Sequence, residues 1–257
     1  MTATTQESDA LYHDPRLADF YDLDNGWYDD TRTCLKLSEG AASVLDLGCG
    51  TGLLASAIAK EFAIAQSGAR VTGVDPAPAM LDIARRRDGG TAVTWVEGDG
   101  RSVRLNERFD FILMTGHAFQ CLLTDADQLA LLKTIAAHLT PTGRFIFDSR
   151  NPKGREWLEW NPKASHRFVT HPKHGQVESW NDYTYDEPTG VVTYGTYYRL
   201  GNGDLLAAKS KIRFGSQENL ARLIAEAGLA VDRWMGDWLG ADYTPASKEI
   251  IPLGRLA

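Results

Sequence analysis

Short apolar runs and longer amphipathic stretches alternate along the first 150 residues of the chain. Such alternation is typical of βα units, in which helices join the parallel strands of one sheet. The apolar runs predict five strands, at residues 44–46, 70–75, 93–96, 109–114 and 145–148. Helical spacing predicts connecting helices at 53–59, 79–85 and about 125–139. This part of the chain therefore predicts an open α/β sheet.

After the fifth predicted strand the hydrophobic pattern changes to a period of two. Polar and apolar residues alternate over 177–185, 191–199 and 205–214, and turn residues separate these segments. This pattern predicts a three- or four-stranded antiparallel sheet built from hairpins. A helix over 216–227 follows, with Ser216 as its N-cap and Gly228 just beyond its end. Residues 229–231 and 249–253 supply two further strands.

The connection between the first predicted strand and the first helix carries the strongest chemical signal. Residues 44–52 read VLDLGCGTG, with glycines at alternate positions after Asp46. Glycine lacks Cβ, so the turn can be tight and a ligand can lie against bare backbone amides. The dinucleotide fingerprint G-x-G-x-x-G has its third glycine where this chain has Leu53. The spacing and the preceding acid favour a ligand that carries an amino acid and a sulfonium over a pyrophosphate.

Further polar residues follow the next strands. Asp75 ends the second strand about 20 residues beyond the glycine loop, where an acid can accept both hydroxyls of a ribose. The third strand runs into Gly98 and Asp99, and the fourth stops before Thr115 and His117. Ligands bind beyond the carboxyl ends of the strands in an open α/β sheet. These residues therefore mark one edge of the sheet as a binding site.

These motifs resemble those of the class I S-adenosylmethionine-dependent methyltransferases. The glycine block matches the first motif of the family, Asp75 its ribose acid, and Asp99 the residue beside the adenine amino group. Residues 109–114 match the strand under the methyl donor. The resemblance covers residues 40–150 well and the C-terminal segment in outline. It implies an α/β fold, a doubly wound seven-stranded Rossmann-like sheet with its last strand antiparallel, and an antiparallel β insertion after the fifth strand.

The resemblance also implies a cofactor, S-adenosyl-L-methionine, with S-adenosyl-L-homocysteine as the product. In the segment Phe20-Tyr21-Asp22, Tyr21 resembles the aromatic element that lies over the methyl donor. A helix that packs on the sheet through these rings is the alternative. The implied cofactor-binding residues are Tyr21, Asp46, Gly48, Cys49, Gly50, Gly52, Asp75, Pro76, Met80, Gly98, Asp99, Gly100 and Thr115.

On the acceptor side, His117 follows the fourth strand and is the candidate catalytic residue. An imidazole with its ordinary pKa near 6.5 can remove a proton at neutral pH, although His117 can equally orient the substrate or cap the helix that it opens. Candidate substrate contacts are His117, Gln120, Tyr28 and Arg150, and Arg150 can alternatively pair with Asp148. The spacing of His166, His171 and His174 matches no metal-binding motif, so we predict no metal.

Composition limits the partners. The chain has 257 residues and a formal net charge of −7, which argues against binding to a nucleic-acid backbone. Three cysteines without paired spacing indicate free thiols in a reducing cytoplasm. The first ten residues lack the apolar region of a signal peptide, and no apolar run approaches the 18 residues of a membrane span. We therefore expect a cytoplasmic monomer or homodimer with a small-molecule substrate and neither a nucleic-acid nor a membrane partner.

We predict a disordered tail at 1–10, a cofactor-binding domain at 11–150 and 216–257, and a β insertion at 151–215 that covers the substrate site. The predicted function is methyl transfer to a nitrogen or oxygen of a small molecule by in-line displacement. An NAD-dependent oxidoreductase is one alternative, which Leu53 disfavours. A non-catalytic protein that binds S-adenosylmethionine is the other.

Overall fold

The fold is that of a computed structural model, and the structure is described for residues 9–257. Its strands are β1 (Ser43–Leu47), β2 (Arg70–Asp75), β3 (Val93–Glu97), β4 (Phe109–Met114), β5 (Leu139–Phe147), β6 (Ser149–Arg150), β7 (Arg167–His171), β8 (Gly175–Asp186), β9 (Val191–Arg199), β10 (Leu205–Arg213), β11 (Leu229–Met235) and β12 (Glu249–Leu256). Its α-helices are α1 (Ala10–His13), α2 (Pro15–Ala18), α3 (Tyr21–Asp24), α4 (Asp29–Leu37), α5 (Leu53–Ile64), α6 (Pro78–Arg86), α7 (Asp125–His138), α8 (Pro162–Ser165) and α9 (Gln217–Glu226). Short 3₁₀ helices cover 90–92, 118–121, 152–154 and 156–159.

The main sheet has the strand order β11-β12-β5-β4-β1-β2-β3, and the short β6 pairs with β12. Strands β1 to β5 are parallel to one another, whereas β12 runs antiparallel to both β5 and β11. The predicted fold class is therefore confirmed, including the antiparallel last strand. Because β12 is reversed, its first residues lie beside the carboxyl ends of the parallel strands, where the expected binding site is.

Helices cover both faces of this sheet, which is why its central strands are largely buried and mostly apolar. All five residues of β1 are buried. Successive side chains of a strand point to opposite faces, so Leu45 packs toward α7 and α9 and Val44 packs toward α5. Burial on both faces fixes the register, since a slip by one residue would exchange the two apolar sets.

The insertion forms a separate four-stranded antiparallel sheet with the order β10-β9-β8-β7. One of its faces packs against the N-terminal segment, where Phe20 stacks on Tyr198 with ring centroids 4.4 Å apart. Near β10, Trp157 packs edge-on against Phe214. The insertion is thus attached to the main domain largely through the N-terminal helices.

The N-terminal region, for which a helix packed on the sheet was one alternative, is not a single continuous helix. It consists of four helices, because Asp14 caps α2, which begins at Pro15, and further breaks occur near Phe20 and after Asn25. Of the predicted disordered tail, residues 1–8 lie outside the described residues, and Asp9 caps α1 through a hydrogen bond from Leu11 N. Within residues 9–257, none of the helices combines the length and the apolar character that crossing a membrane requires.

Candidate active site

The glycine loop between β1 and α5 adopts the backbone conformation that its sequence predicts. Gly48, Gly50 and Gly52 have φ angles of 71°, 52° and 73°, in the left-handed region. At Gly52 a Cβ would also lie 2.5 Å from the Trp95 ring and 2.7 Å from Ala84 Cβ, so this glycine allows close packing beneath the loop. At Gly50 a Cβ would instead point at the ring of Tyr21, 3.7 Å away. Gly50 therefore faces open space below Tyr21, whereas Gly52 is packed against Trp95 and Ala84.

A cavity of about 480 Å³ opens beside this loop, at the carboxyl edge of the main sheet. Its glycine-loop half is lined by Asp46, residues 48–51, Leu53, Leu54 and Tyr21. Its histidine half is lined by residues 115–117, by Asp148 and Arg150, by residues 237–239 and 248–249, and by residues 24–26 and 28–31, which run from the end of α3 into the first turn of α4. The 151–215 insertion, which we predicted to cover the substrate site, supplies no side chain to this lining.

Asp46 is the buried acid of the glycine-loop half. Burial, reinforced by the nearby Asp75 carboxylate, raises the pKa of Asp46 to about 7, against the opposing effect of the Ala55 amide. No cationic side chain is among the groups that shift this pKa. A cationic ligand at this position would restore the ionised form, which is the fit expected for a sulfonium or an ammonium group.

Two acids of α3 hold the N-terminal segment in place over the loop. Asp22 accepts a hydrogen bond from Thr51 Oγ1 at 2.5 Å and pairs with Arg87, whose Nε also donates to the Thr51 carbonyl at 2.9 Å. On the other side, Asp24 accepts from Arg167 at 2.6 Å and from the Tyr198 hydroxyl at 2.5 Å, both in the insertion. Helix α3 therefore ties the insertion to the glycine loop and sets Tyr21 over Gly50.

In the histidine half, His117 lies between two carboxylates. Its backbone has φ 59°, and its amide donates to Asp148 Oδ1 at 2.9 Å. The Nε2 atom lies 3.0 and 3.1 Å from the two carboxylate oxygens of Glu249 and 3.7 Å from Asp148 Oδ2. Asp148 Oδ2 is buried and has no hydrogen-bond partner. Three sheet strands thus bring their ends together: β4, β5 and the reversed β12.

Burial dominates the protonation of these three groups. Burial lowers the pKa of His117 to about 4, opposed by the nearby Asp148 carboxylate. Burial raises the pKa of Glu249 to about 7 and that of Asp148 to about 6. The imidazole is therefore neutral at neutral pH, and the two acids are held close to the pH at which they exchange protons.

The predicted site residues fall into two groups. Those that line the cavity are Tyr21, Asp46, Gly48, Cys49, Gly50 and Thr115 from the cofactor set and Tyr28, His117 and Arg150 from the substrate set. Those outside its lining are Gly52, Asp75, Pro76, Met80, Gly98, Asp99, Gly100 and Gln120.

The second group has visible local roles. The Asp75 carboxylate accepts from the amides of Gly50 and Ala77, each at 2.8 Å, so it orders the glycine loop. Asp99 is paired with Arg101, and a Cβ on Gly100 would lie 2.7 Å from Leu131. Met80 is buried in the apolar cluster beside Tyr21.

Gln120 is completely buried under the site and does not reach the cavity. Its amide donates to the Arg213 carbonyl at 3.0 Å and its oxygen accepts from Arg150 Nη1 at 3.2 Å. Arg150 forms its ion pair with Glu156, at 2.9 Å, and not with Asp148, which was the pairing considered from the sequence. Gln120 and Glu156 therefore fix the guanidinium of Arg150 at the cavity wall.

Sequence reasoning missed the residues that β12 and its preceding loop bring to the site. Glu249 opens β12, and residues 237–239 reach the cavity because Thr33 Oγ1 of α4 donates to the Trp238 carbonyl at 2.7 Å. Asn151 anchors the same loop by donating to the Ser247 carbonyl at 2.8 Å. An acid at the start of an antiparallel last strand was the available signal for Glu249.

Asp19, His171 and His174 also approach one another, with possible ligand atoms within 4.8 Å. The Lys173 ammonium already lies 2.7 Å from the Asp19 carboxylate. The Nδ1 lone pair of His171 accepts the Lys173 amide at 3.1 Å. The Asp19 carboxylate and the His171 Nδ1 lone pair, which a metal would need as ligands, are therefore already engaged by Lys173. The absence of a metal stays a prediction.

Comparison with known proteins defines the class. Residues 44–143 match a family model described as a methyltransferase domain. The chain is 30% identical over 209 residues to the cypemycin N-terminal methyltransferase of a Streptomyces species, covering 81% of each protein. The chain belongs to the class I S-adenosylmethionine-dependent methyltransferases, and its cofactor is S-adenosylmethionine. The oxidoreductase and non-catalytic alternatives are thereby set aside.

Two solved structures share the whole fold. The CcbJ methyltransferase of Streptomyces caelestis superposes with a TM-score of 0.78 at 22% identity, covering 98% of this chain and 99% of the other. CalS10 of Micromonospora echinaspora, an amino pentose methyltransferase solved with S-adenosylmethionine bound, gives 0.66 at 21% identity, covering 90% and 93%. The β insertion is therefore part of an architecture that other methyltransferases share.

Proposed function

We propose that this enzyme transfers the methyl group of S-adenosylmethionine to a nitrogen atom of a small-molecule or peptide acceptor, by in-line displacement at the cavity beside the glycine loop. The choice of nitrogen as the accepting atom rests on the charges that line the cavity. Within residues 9–257 the cavity lining has seven carboxylates and two cationic side chains. The carboxylates are Asp24, Asp29, Asp30, Asp46, Asp148, Asp237 and Glu249, and the cations are Arg150 and Lys248.

An acidic cavity favours cationic ligands because opposite charges attract strongly where water is partly excluded. An amine acceptor is a cation at neutral pH, whereas a hydroxyl acceptor carries no charge. The cypemycin enzyme by its name acts on an N-terminus, and CalS10 by its description acts on an amino sugar. Both relatives agree with the electrostatic argument for nitrogen.

The residues of the glycine-loop half are suited to hold the cofactor. Asp46 and the backbone of Gly48 and Gly50 would face its cationic end, and Tyr21 would cover it, while Asp75 orders the loop. When bound, S-adenosylmethionine supplies a methyl group already activated by the sulfonium. The protein's contribution is alignment of the acceptor, an effect that reaches about 10⁵–10⁸ M in well-oriented reactions.

The test is methyl release over matched acceptor pairs: glucosamine against glucose, and L-alaninamide against L-lactamide. Each pair differs in the accepting atom and little in shape. We expect methylation of at least one amine, with its hydroxyl counterpart at least tenfold slower. Preferential methylation of the hydroxyl members would contradict the choice of nitrogen.

A further inference from the structure

The arrangement around His117 contains two carboxyl groups that the family motifs do not include. Asp148 Oδ2 is buried without a hydrogen-bond partner, although Asp148 lines the cavity. Glu249 approaches His117 Nε2 with both of its oxygens. A buried carboxylate oxygen that lacks a donor costs free energy unless a ligand supplies one. This unsatisfied oxygen therefore indicates a hydrogen-bond donor that arrives with the acceptor.

We propose that Asp148 and Glu249 together receive the acceptor as a protonated amine, Asp148 by binding its N–H and Glu249 by taking its proton, so that a neutral amine stands beside His117. This inference rests on the proposed function and deepens it. In the proton transfer, one N–H bond of the ammonium breaks and one O–H bond forms on the Glu249 carboxylate. The nitrogen keeps the electron pair with which it then attacks the methyl carbon.

Glu249 is better suited to the proton transfer than Asp148 or His117. Its pKa, raised by burial to about 7, is close to that of an α-amine, about 7.7–8.0, so the proton moves between groups of similar basicity. His117, with a pKa lowered by burial to about 4, is too weak a base to hold the proton. Its ring instead holds the Glu249 carboxylate in position through Nε2.

Charged groups face Glu249 from several elements of the structure. Charged groups act on it with both signs, and burial exceeds all of them. They are His117 after β4, Asp148 after β5, Arg150 of β6, Glu156 of the following turn, Asp30 of α4 and the adjacent Lys248. The cations Arg150 and Lys248 oppose the acids Asp30 and Glu156, which leaves Glu249 free to exchange its proton near neutral pH.

The test uses the full chain and the amine of the panel above that the wild type methylates fastest. For Glu249→Gln we expect kcat/KM at pH 7 to fall tenfold or more and to recover to within about threefold of the wild type at pH 9, where the amine is already neutral. For Asp148→Asn, whose remaining carbonyl can still accept the His117 amide, we expect the amine KM to rise about tenfold. Calorimetry should show S-adenosylhomocysteine affinity unchanged within twofold in both variants.

Glu226→Gln, which removes an exposed carboxylate on α9, is the matched control and should change neither constant. A loss in Glu249→Gln that is equally large at pH 7 and pH 9 would mean a purely structural role and overturn the proposal. Wild-type kinetics in both variants would overturn it as well. If the wild type methylates none of the amines, the proposed function fails instead, and the two outcomes are distinct.

Discussion

The glycine-loop half of the cavity comes almost entirely from one continuous stretch of chain, residues 46–54, whereas the histidine half is assembled from segments far apart in sequence. The first half depends on backbone conformation, since three glycines with positive φ shape it. The second half depends on side chains brought together by the order of the strands, β4, β5 and the reversed β12. Substitutions in the glycine-loop half should therefore weaken cofactor binding, whereas substitutions in the histidine half should slow the reaction of the acceptor.

The largest effect is expected at Gly50. In Gly50→Val a branched side chain would occupy the space between the loop and Tyr21, at a φ of 52° that valine disfavours. We expect calorimetric binding of S-adenosylhomocysteine to weaken at least 100-fold. Gly201→Val, on an insertion turn with open space around it, is the matched control and should bind normally. Normal binding by the Gly50 variant would show that the cofactor does not lie against the glycine loop.

A loss confined to the acceptor chemistry is expected at His117. In His117→Ala, Glu249 loses the ring that positions it, so we expect kcat/KM to fall by about 10–100-fold with S-adenosylhomocysteine affinity within twofold. Since burial holds the pKa of His117 near 4, titration of the imidazole should not produce an acidic limb near pH 6.5 in the wild-type rate profile. A tenfold loss of cofactor affinity in this variant would contradict the assignment of cofactor binding to the glycine-loop half alone.

Asp75, which we expect to bind the ribose, gives the next effect. Asp75→Ala removes the acceptor for the Gly50 and Ala77 amides as well as the expected ribose contacts, each charge-assisted bond contributing about 1.5–3 kcal/mol. We expect cofactor binding to weaken at least tenfold while the fold is retained, as judged by far-ultraviolet circular dichroism. Unchanged affinity would show that ordering the loop by Asp75 is unnecessary for binding.

For Asp46 we expect an effect on the thermal stability of the ligand-free protein. Because its folded-state pKa is raised to about 7, the neutral carboxyl favours folding; this contribution is full below about pH 4 and is lost as the pH rises through 7. Asparagine imitates the neutral acid, so Asp46→Asn should raise the melting temperature of the ligand-free protein by about 2–6 °C at pH 8 and leave it unchanged at pH 4. A lower melting temperature at pH 8 would contradict the burial argument.

The smallest effect should come from the link between the insertion and the loop. Arg167→Ala leaves Asp24 with only the Tyr198 hydroxyl, and the pair is partly exposed, so its loss costs little. We expect cofactor affinity to fall by no more than about threefold. Arg199→Ala removes an arginine from the same sheet without touching α3 and serves as its control. A tenfold change with Arg167→Ala alone would mean that the insertion controls cofactor binding strongly.

The sequence predicted the main sheet and the glycine-loop half because their signals are local. The apolar run before Asp46 and the glycine spacing each specify structure within a few residues. Glu249 and Trp238 could not be assigned to the site from local pattern, since their position depends on the pairing of β12 with β5 and β11. Gln120 was expected to contact the substrate, but the 3₁₀ turn after His117 directs it beneath the cavity.

That the insertion covers the substrate site stays a prediction, and the sequence did not indicate that the N-terminal segment would lie between the insertion and the glycine loop. Helix α3 lies between the insertion and the glycine loop, anchored to each by one acid. Alternating polarity in 177–214 predicted the strands correctly but carried no information on which layer would separate them from the cavity. Such layering is decided by long-range packing, here of Phe20 on Tyr198.

The division of the cavity can be tested most directly by a crystal structure of the protein with S-adenosylhomocysteine. We expect the amino-acid end of the ligand to lie against Asp46 and Gly50, with its sulfur directed toward His117, Asp148 and Glu249. The acceptor space would then be bounded by those three residues. A sulfur directed toward the β7–β10 sheet, with His117 and Glu249 remote from it, would contradict the account.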